Sequence, residues 1–135
     1  MTTDELLRRA IEIAIDKKGL DIRVLDVAKG LSITDWFVLV TAESRRQAQA
    51  IASAIDTTMK HAGVPKARIE GHADGWWILL DFDTVVIHVF QDEARSFYAL
   101  DKLWADAKDR TKDFVPAEAQ RSNPSDSAQS AESDA

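Results

Sequence analysis

Residues 74–90 read DGWWILLDFDTVVIHVF, two apolar runs separated by a short acidic break. Successive side chains of a strand point to opposite faces, so Trp76, Ile78 and Leu80 face one way and Trp77, Leu79 and Asp81 the other. Large apolar groups stand on both faces. In the second run Val86, His88 and Phe90 alternate with Val85, Ile87 and Val89, again apolar on both sides. A strand of this kind lies inside a sheet with at least one face packed on helices. Phe82 and Asp83 are short enough for a hairpin, which makes the two runs antiparallel neighbours. Whether His88 shares a face with Trp77 depends on the hairpin register. Periodicity leaves Trp77 open between core and interface.

Outward from this hairpin, the remaining segments supply the helices it needs. Residues 4–18 place Leu6, Leu7, Ala10, Ile11, Ala14 and Ile15 at helical spacing, with Gly19 just beyond. DIRVLDVAKG at 21–30 and WFVLVT at 36–41 read as two strands of a hairpin. Ser44 followed by Gln47 matches a capping box, and Ala48, Ile51, Ile55 and Met59 form one stripe before Gly63. ARIEG offers a short strand. Phe97, Leu100, Leu103, Trp104 and Ala107 recur at three- or four-residue steps and mark a terminal helix. The order αββαβββα predicts an α/β domain, a mixed β-sheet flanked by helices.

That domain is expected over residues 1–110. From Thr111 to Ala135 the chain is rich in Ala, Ser, Asp and Pro, with too few large apolar groups to offset its ordering entropy, so a disordered acidic tail is expected there. Two basic and five acidic residues lie in it, half of the formal charge of −6. The acidic balance disfavours direct, sequence-specific nucleic-acid binding and suits a protein partner. With no cysteine, neither disulfides nor a thiolate zinc site can staple the fold. No apolar stretch approaches the roughly 20 residues of a membrane-spanning helix. The first residues lack the pattern of a signal or transit peptide, so cytoplasmic residence is expected.

Asp81 and Asp83 invite a chemical reading. Two apart on a continuous strand, they would share a face and could hold magnesium in a nucleotidyltransferase. The competing reading makes them the hairpin turn, because Asp tolerates left-handed backbone. A nucleotidyltransferase also needs a Gly-Ser pair opening a helix shortly before its carboxylates. The segment TAESRRQ around Ser44 has no glycine and lies 37 residues before Asp81, which favours the turn. For His88, nearby sequence supplies only the turn aspartates as partners, so a histidine satisfied within the sheet or placed at a binding face is preferred to a general acid or base. His61 and His72 have no metal-ligand spacing with it. Ser44 is explained as a helix cap, and Arg45 and Arg46 as solvated first-turn groups. No metal and no cofactor are assigned.

The pieces LDVAKGLSITDWFVLVTAESRRQAQAIA at 25–52, EGHADGWWILLDFDTVVIHVF at 70–90 and RSFYALDKLW at 95–104, in this order, resemble the ribosomal silencing factor, or Iojap, family from about Asp4 to Ala107. The family signature falls on Asp35, Ser44, Glu70, Gly71, Trp77, Asp81, His88, Arg95, Tyr98, Leu100, Leu103 and Trp104. The resemblance implies a nucleotidyltransferase-like fold without the catalytic residues, hence no enzyme. It implies a translation repressor that binds the large ribosomal subunit at its protein L-fourteen and sterically blocks joining of the small subunit. A separate reading of the exposed apolar face makes it a self-association surface, giving a homodimer of the free protein. Of the signature residues, Trp77, Asp81, His88 and Tyr98, with Leu79 from the same strand face as Trp77, are expected at the docking surface, and Leu103 and Trp104 are expected to fasten the last helix. Two departures stand out: Asp83 and Thr84 replace the family's usual glycine and aspartate between the hairpin strands, and Ala42 replaces a glycine two before the capping serine. Asp can supply the turn glycine's backbone, so the first should cost little.

Overall fold

The computed structural model describes residues 1–28, 35–98 and 107–120. Helix α1 spans Thr3–Asp16, β1 Leu20–Asp26, β2 Trp36–Ala42, α2 Arg45–His61, β3 Arg68–Glu70, β4 Trp77–Asp81, β5 Val85–Gln91 and α3 Asp92–Tyr98. These match the expected αββαβββα order. Helix α3 follows directly from the end of β5; most of the expected terminal helix, including Leu100, Leu103 and Trp104, lies outside the described residues. Among the described residues three further elements follow: β6 at Lys108–Asp109, α4 at Thr111–Phe114 and a 3-10 turn at Ala117–Ala119.

The strands form one sheet in the order β3-β4-β5-β2-β1-β6. β2 and β5 pair in parallel at its centre, while the other pairs are antiparallel, which makes the sheet mixed. Helices α1 and α2 cover the same face. Their apolar stripes, including Leu7, Ile11, Ile51 and Ile55, pack with Ile22, Val24, Val38, Val40, Ile78, Leu80, Ile87 and Val89 in the main core. Each fully buried large aliphatic side chain there contributes about 1.5–3 kcal/mol.

Local signals fix the helix starts. Thr2 and Glu5 complete a capping box on α1. Ser44 caps α2 by accepting from the Gln47 backbone N–H at 3.1 Å, but Gln47 does not close the expected box. Its side-chain oxygen instead accepts from the Glu43 N–H at 2.7 Å, and its amide donates to the carbonyls of Lys17 and Lys18. One glutamine therefore joins the start of α2 to the end of α1.

The expected boundary at residue 110 falls inside the packed structure. Arg110 N–H donates to the Val24 carbonyl, and Val24 N–H donates to the Thr111 hydroxyl at 3.0 Å, so the Thr111 side chain continues the β1 ladder where β6 stops. Val115 is buried in the main core. Phe114 meets Trp36 edge-on at 5.6 Å, with the Arg8 guanidinium over its ring at 4.8 Å. Composition predicted disorder here because only two large apolar residues are available. They are held by backbone and hydroxyl hydrogen bonds, which composition does not report. Residues 121–135 of the expected tail lie outside the described residues.

Candidate docking face

Hairpin register decides what the second face of the sheet carries. Trp77 pairs with Phe90, Leu79 with His88 and Asp81 with Val86. Directly opposed residues share a face, so His88 stands with Trp77, Leu79 and Asp81. Parallel pairing adds Phe37 beside Val86 and Leu39 beside His88. Helices α1 and α2 take the other face, so this one is covered among the described residues chiefly by the short α3.

A small second core lies under α3: Leu25, Val27, Leu39, Phe90 and Ala94 are buried, with Phe37, Trp76, Trp77 and Ala107 packed around them. Trp77, Leu79 and Asp81 are each partly exposed, while His88 is only 4% exposed. The Trp77 indole N–H donates to His88 Nδ1 at 3.1 Å. Phe37 meets the imidazole edge-on at 5.1 Å and 86°. Burial pushes the His88 pKa down to about 4, so the ring is neutral at physiological pH. Because Nδ1 accepts, the proton of the neutral ring sits on Nε2.

Helix α3 is fastened to this face by Arg95, itself 5% exposed. Its Nη1 donates to the Asp21 carbonyl and to the Thr41 hydroxyl, both at 2.8 Å. The guanidinium also lies over Phe90, 5.4 Å from the ring centroid. Asp21 offers its carbonyl from a left-handed backbone, φ 47°, at the register irregularity in β1. Arg95 thus sets where the helix bearing Tyr98 leaves the sheet. The sequence marked Arg95 through the resemblance alone, with no role attached.

The two aspartates build the turn. Asp83 has φ 77°, and its N–H donates to Asp81 Oδ1 at 2.8 Å. Asp83 therefore takes the left-handed backbone expected where the family has glycine. The Asp81 carboxylate caps the turn at the rim of the second face. At the other end of β4, Gly71 has φ 79°, and a Cβ there would come within 2.2 Å of the Trp77 carbonyl oxygen. The loop it starts is tied to α2, where Gln49 donates to the His72 and Ala73 carbonyls. Gln91 donates to the Gly75 carbonyl from the β5 end.

A groove of about 760 Å³ lies elsewhere, along the β1–β6 edge, lined by Asp21, Arg23, Lys108, Asp109 and Arg110 among others. Arg23 is shared by Asp21 and Asp109, and Arg110 pairs with Asp113, so much of its positive charge is neutralised locally.

The family profile described as "Ribosomal silencing factor during starvation" matches residues 1–135. The chain belongs to the ribosomal silencing factor family. It is 38% identical over 108 residues to the ribosomal silencing factor of Halalkalibacterium halodurans, covering 79% of this chain and 92% of that one. A crystal structure of a Chromobacterium violaceum protein superposes with a TM-score of 0.74 at 37% identity, covering 78% of this chain and 88% of the other. A mouse protein named for mitochondrial assembly of the ribosomal large subunit is 34% identical over 97 residues, 70% of this chain and 42% of its own length.

Within this silencing factor fold, Trp77, Leu79 and Asp81 come together on one face, with His88 beneath Trp77 rather than beside it at the surface. Tyr98 ends α3, but its side chain lies outside the described residues, as do Leu100, Leu103 and Trp104. No helix among the described residues is long and apolar enough to cross a membrane.

Proposed function

We propose that the chain represses translation by docking its second sheet face on the large ribosomal subunit, at the ribosomal protein L-fourteen, and so blocks the small subunit from joining. Family membership supports action on the ribosome, and the name of the mouse relative points to the large subunit. The observation that carries the choice of surface is the partly exposed row Trp77, Leu79 and Asp81, opposite the face filled by α1 and α2. An aromatic and a leucine supported from below, with a carboxylate at the rim, have the anatomy of an interface centre.

Occupancy is sufficient for the effect. A ligand of the free large subunit competes with the small subunit by mass action, without turnover. The turn-capping geometry of Asp81 and Asp83 supports a structural task for these residues over the magnesium reading. The same face would bury itself between two copies when no ribosome is present, and such a homodimer must dissociate before docking. The setting is the cytoplasm, and Tyr98 is proposed as a further contact to the ribosome.

Sucrose-gradient sedimentation tests this reading. Purified protein added to separated subunits should comigrate with the large subunit and reduce the peak of joined ribosomes. Protein that stays at the top of the gradient and leaves subunit joining unchanged would sink the proposal.

A further inference from the structure

We propose that His88 is a positioning residue of the docking face: by accepting from the Trp77 indole N–H, it fixes which edge of Trp77 a partner meets. The inference rests on the docking reading above and adds a mechanism of presentation to it.

Trp77 stands opposite Phe90 across the hairpin, yet its indole leans along β5 toward His88, the diagonal neighbour. The rings of Trp77 and His88 lie 5.9 Å apart at 39°, and those of Trp77 and Phe90 6.2 Å apart at 45°. Apolar contact alone holds an indole weakly about its outer torsion, where the wells are broad and roughly two-fold. A hydrogen bond of 3.1 Å from its single donor selects one of them.

The acceptor is itself immobile. His88 occupies the middle of a central strand, with Phe37 edge-on to its ring on one side and the Phe90 ring stacked at 29° on another. A neutral imidazole is essential, since a protonated Nδ1 would set a donor against the indole donor. Burial keeps it neutral. An aromatic held this way gives up fewer rotamers on binding, which lowers the entropic cost of association. A buried residue thus shapes affinity without touching the partner.

The test compares three replacements by their binding to purified large ribosomal subunits and by the ¹⁵N–¹H resonance of the Trp77 indole. His88→Asn keeps an acceptor near the Nδ1 position, His88→Gln moves it toward the Nε2 position, and His88→Leu removes it. The expected result is affinity within about threefold of wild type for Asn and about tenfold weaker for Gln and Leu, with the indole resonance moved only in the latter two. Equal binding by Asn, Gln and Leu overturns the proposal, whether all bind well or all bind poorly. Should Leu fail to fold, the Asn and Gln pair decides. A Trp77 indole N–H that exchanges with solvent as fast as a free indole in the wild-type protein overturns it without any variant. Trp77→Ala separates the two readings. If it binds like wild type, docking through this face is wrong; if it loses binding while the His88 variants bind alike, only the positioning role is wrong.

Discussion

The Val24 backbone N–H donates to the Thr111 hydroxyl at 3.0 Å, joining two residues 87 positions apart. The same hydroxyl donates to Asp109 Oδ1 at 2.5 Å, and Thr111 N–H donates to that oxygen at 2.9 Å. A short segment after the last strand is thereby built into the edge of the sheet. Partial burial pushes the Asp109 carboxyl up, but the Thr111 hydrogen bonds and Arg23 together outweigh it and lower its pKa.

Thr111→Val keeps the shape of the side chain but leaves the buried Val24 N–H without its acceptor. The expected loss is about 1–3 kcal/mol, read from urea unfolding midpoints. Truncation after Arg110 also removes Val115 and Phe114 and should cost more, while a truncated chain that melts like the full one would contradict the packed role of this segment.

Arg95→Ala should loosen α3 by leaving the Asp21 carbonyl and the Thr41 hydroxyl without the guanidinium donor. A loss of about 2–4 kcal/mol is expected, with faster amide exchange in α3 than in α1. Unchanged exchange in α3 would show that other contacts hold the helix.

Asp83→Gly should leave stability unchanged or raise it by up to about 1 kcal/mol, because glycine meets no steric penalty at φ 77°. Asp83→Val should lower it by about 1–2 kcal/mol, since a β-branched residue is poorly accommodated there. Thermal melts of the two variants should therefore move apart, and coincident melts would contradict the turn assignment.

Stability should fall on acidification because of His88. In the unfolded chain a histidine takes up its proton near 6.5, whereas the buried ring does so only near 4. Between these values the unfolded state binds more protons, so stability falls as pH is lowered, by on the order of 3 kcal/mol from this group, and the loss levels off below 4. Urea unfolding at about pH 7.5, 5.5 and 4.5 reads this slope. His88→Asn should flatten it, and an equal slope in that variant would assign the effect to other groups.

Much of the fold was legible because alternation and helical spacing are local. Val85, Ile87 and Val89 announced a buried strand, and Ala48, Ile51 and Ile55 the helix that covers it. The outward face was not legible from alternation, because β4 carries large apolar groups on both sides. Helices α1 and α2 resolved it by burying Ile78 and Leu80, and register put His88 with Leu79 on the other face. Arg95 and Thr111 act through contacts 74 and 87 residues away, which no local pattern encodes. The sequence left His88 open between the sheet interior and a binding face; the rings around it bury it, with its Nδ1 bonded to Trp77.

Docking of the Trp77 face on the large ribosomal subunit is read by the equilibrium binding of Trp77→Ala. Arg9→Ala, on the exposed side of α1, serves as the control. With both variants folded, Trp77→Ala should bind at least about 30-fold more weakly than wild type and Arg9→Ala the same as wild type. Wild-type affinity in folded Trp77→Ala would contradict the account.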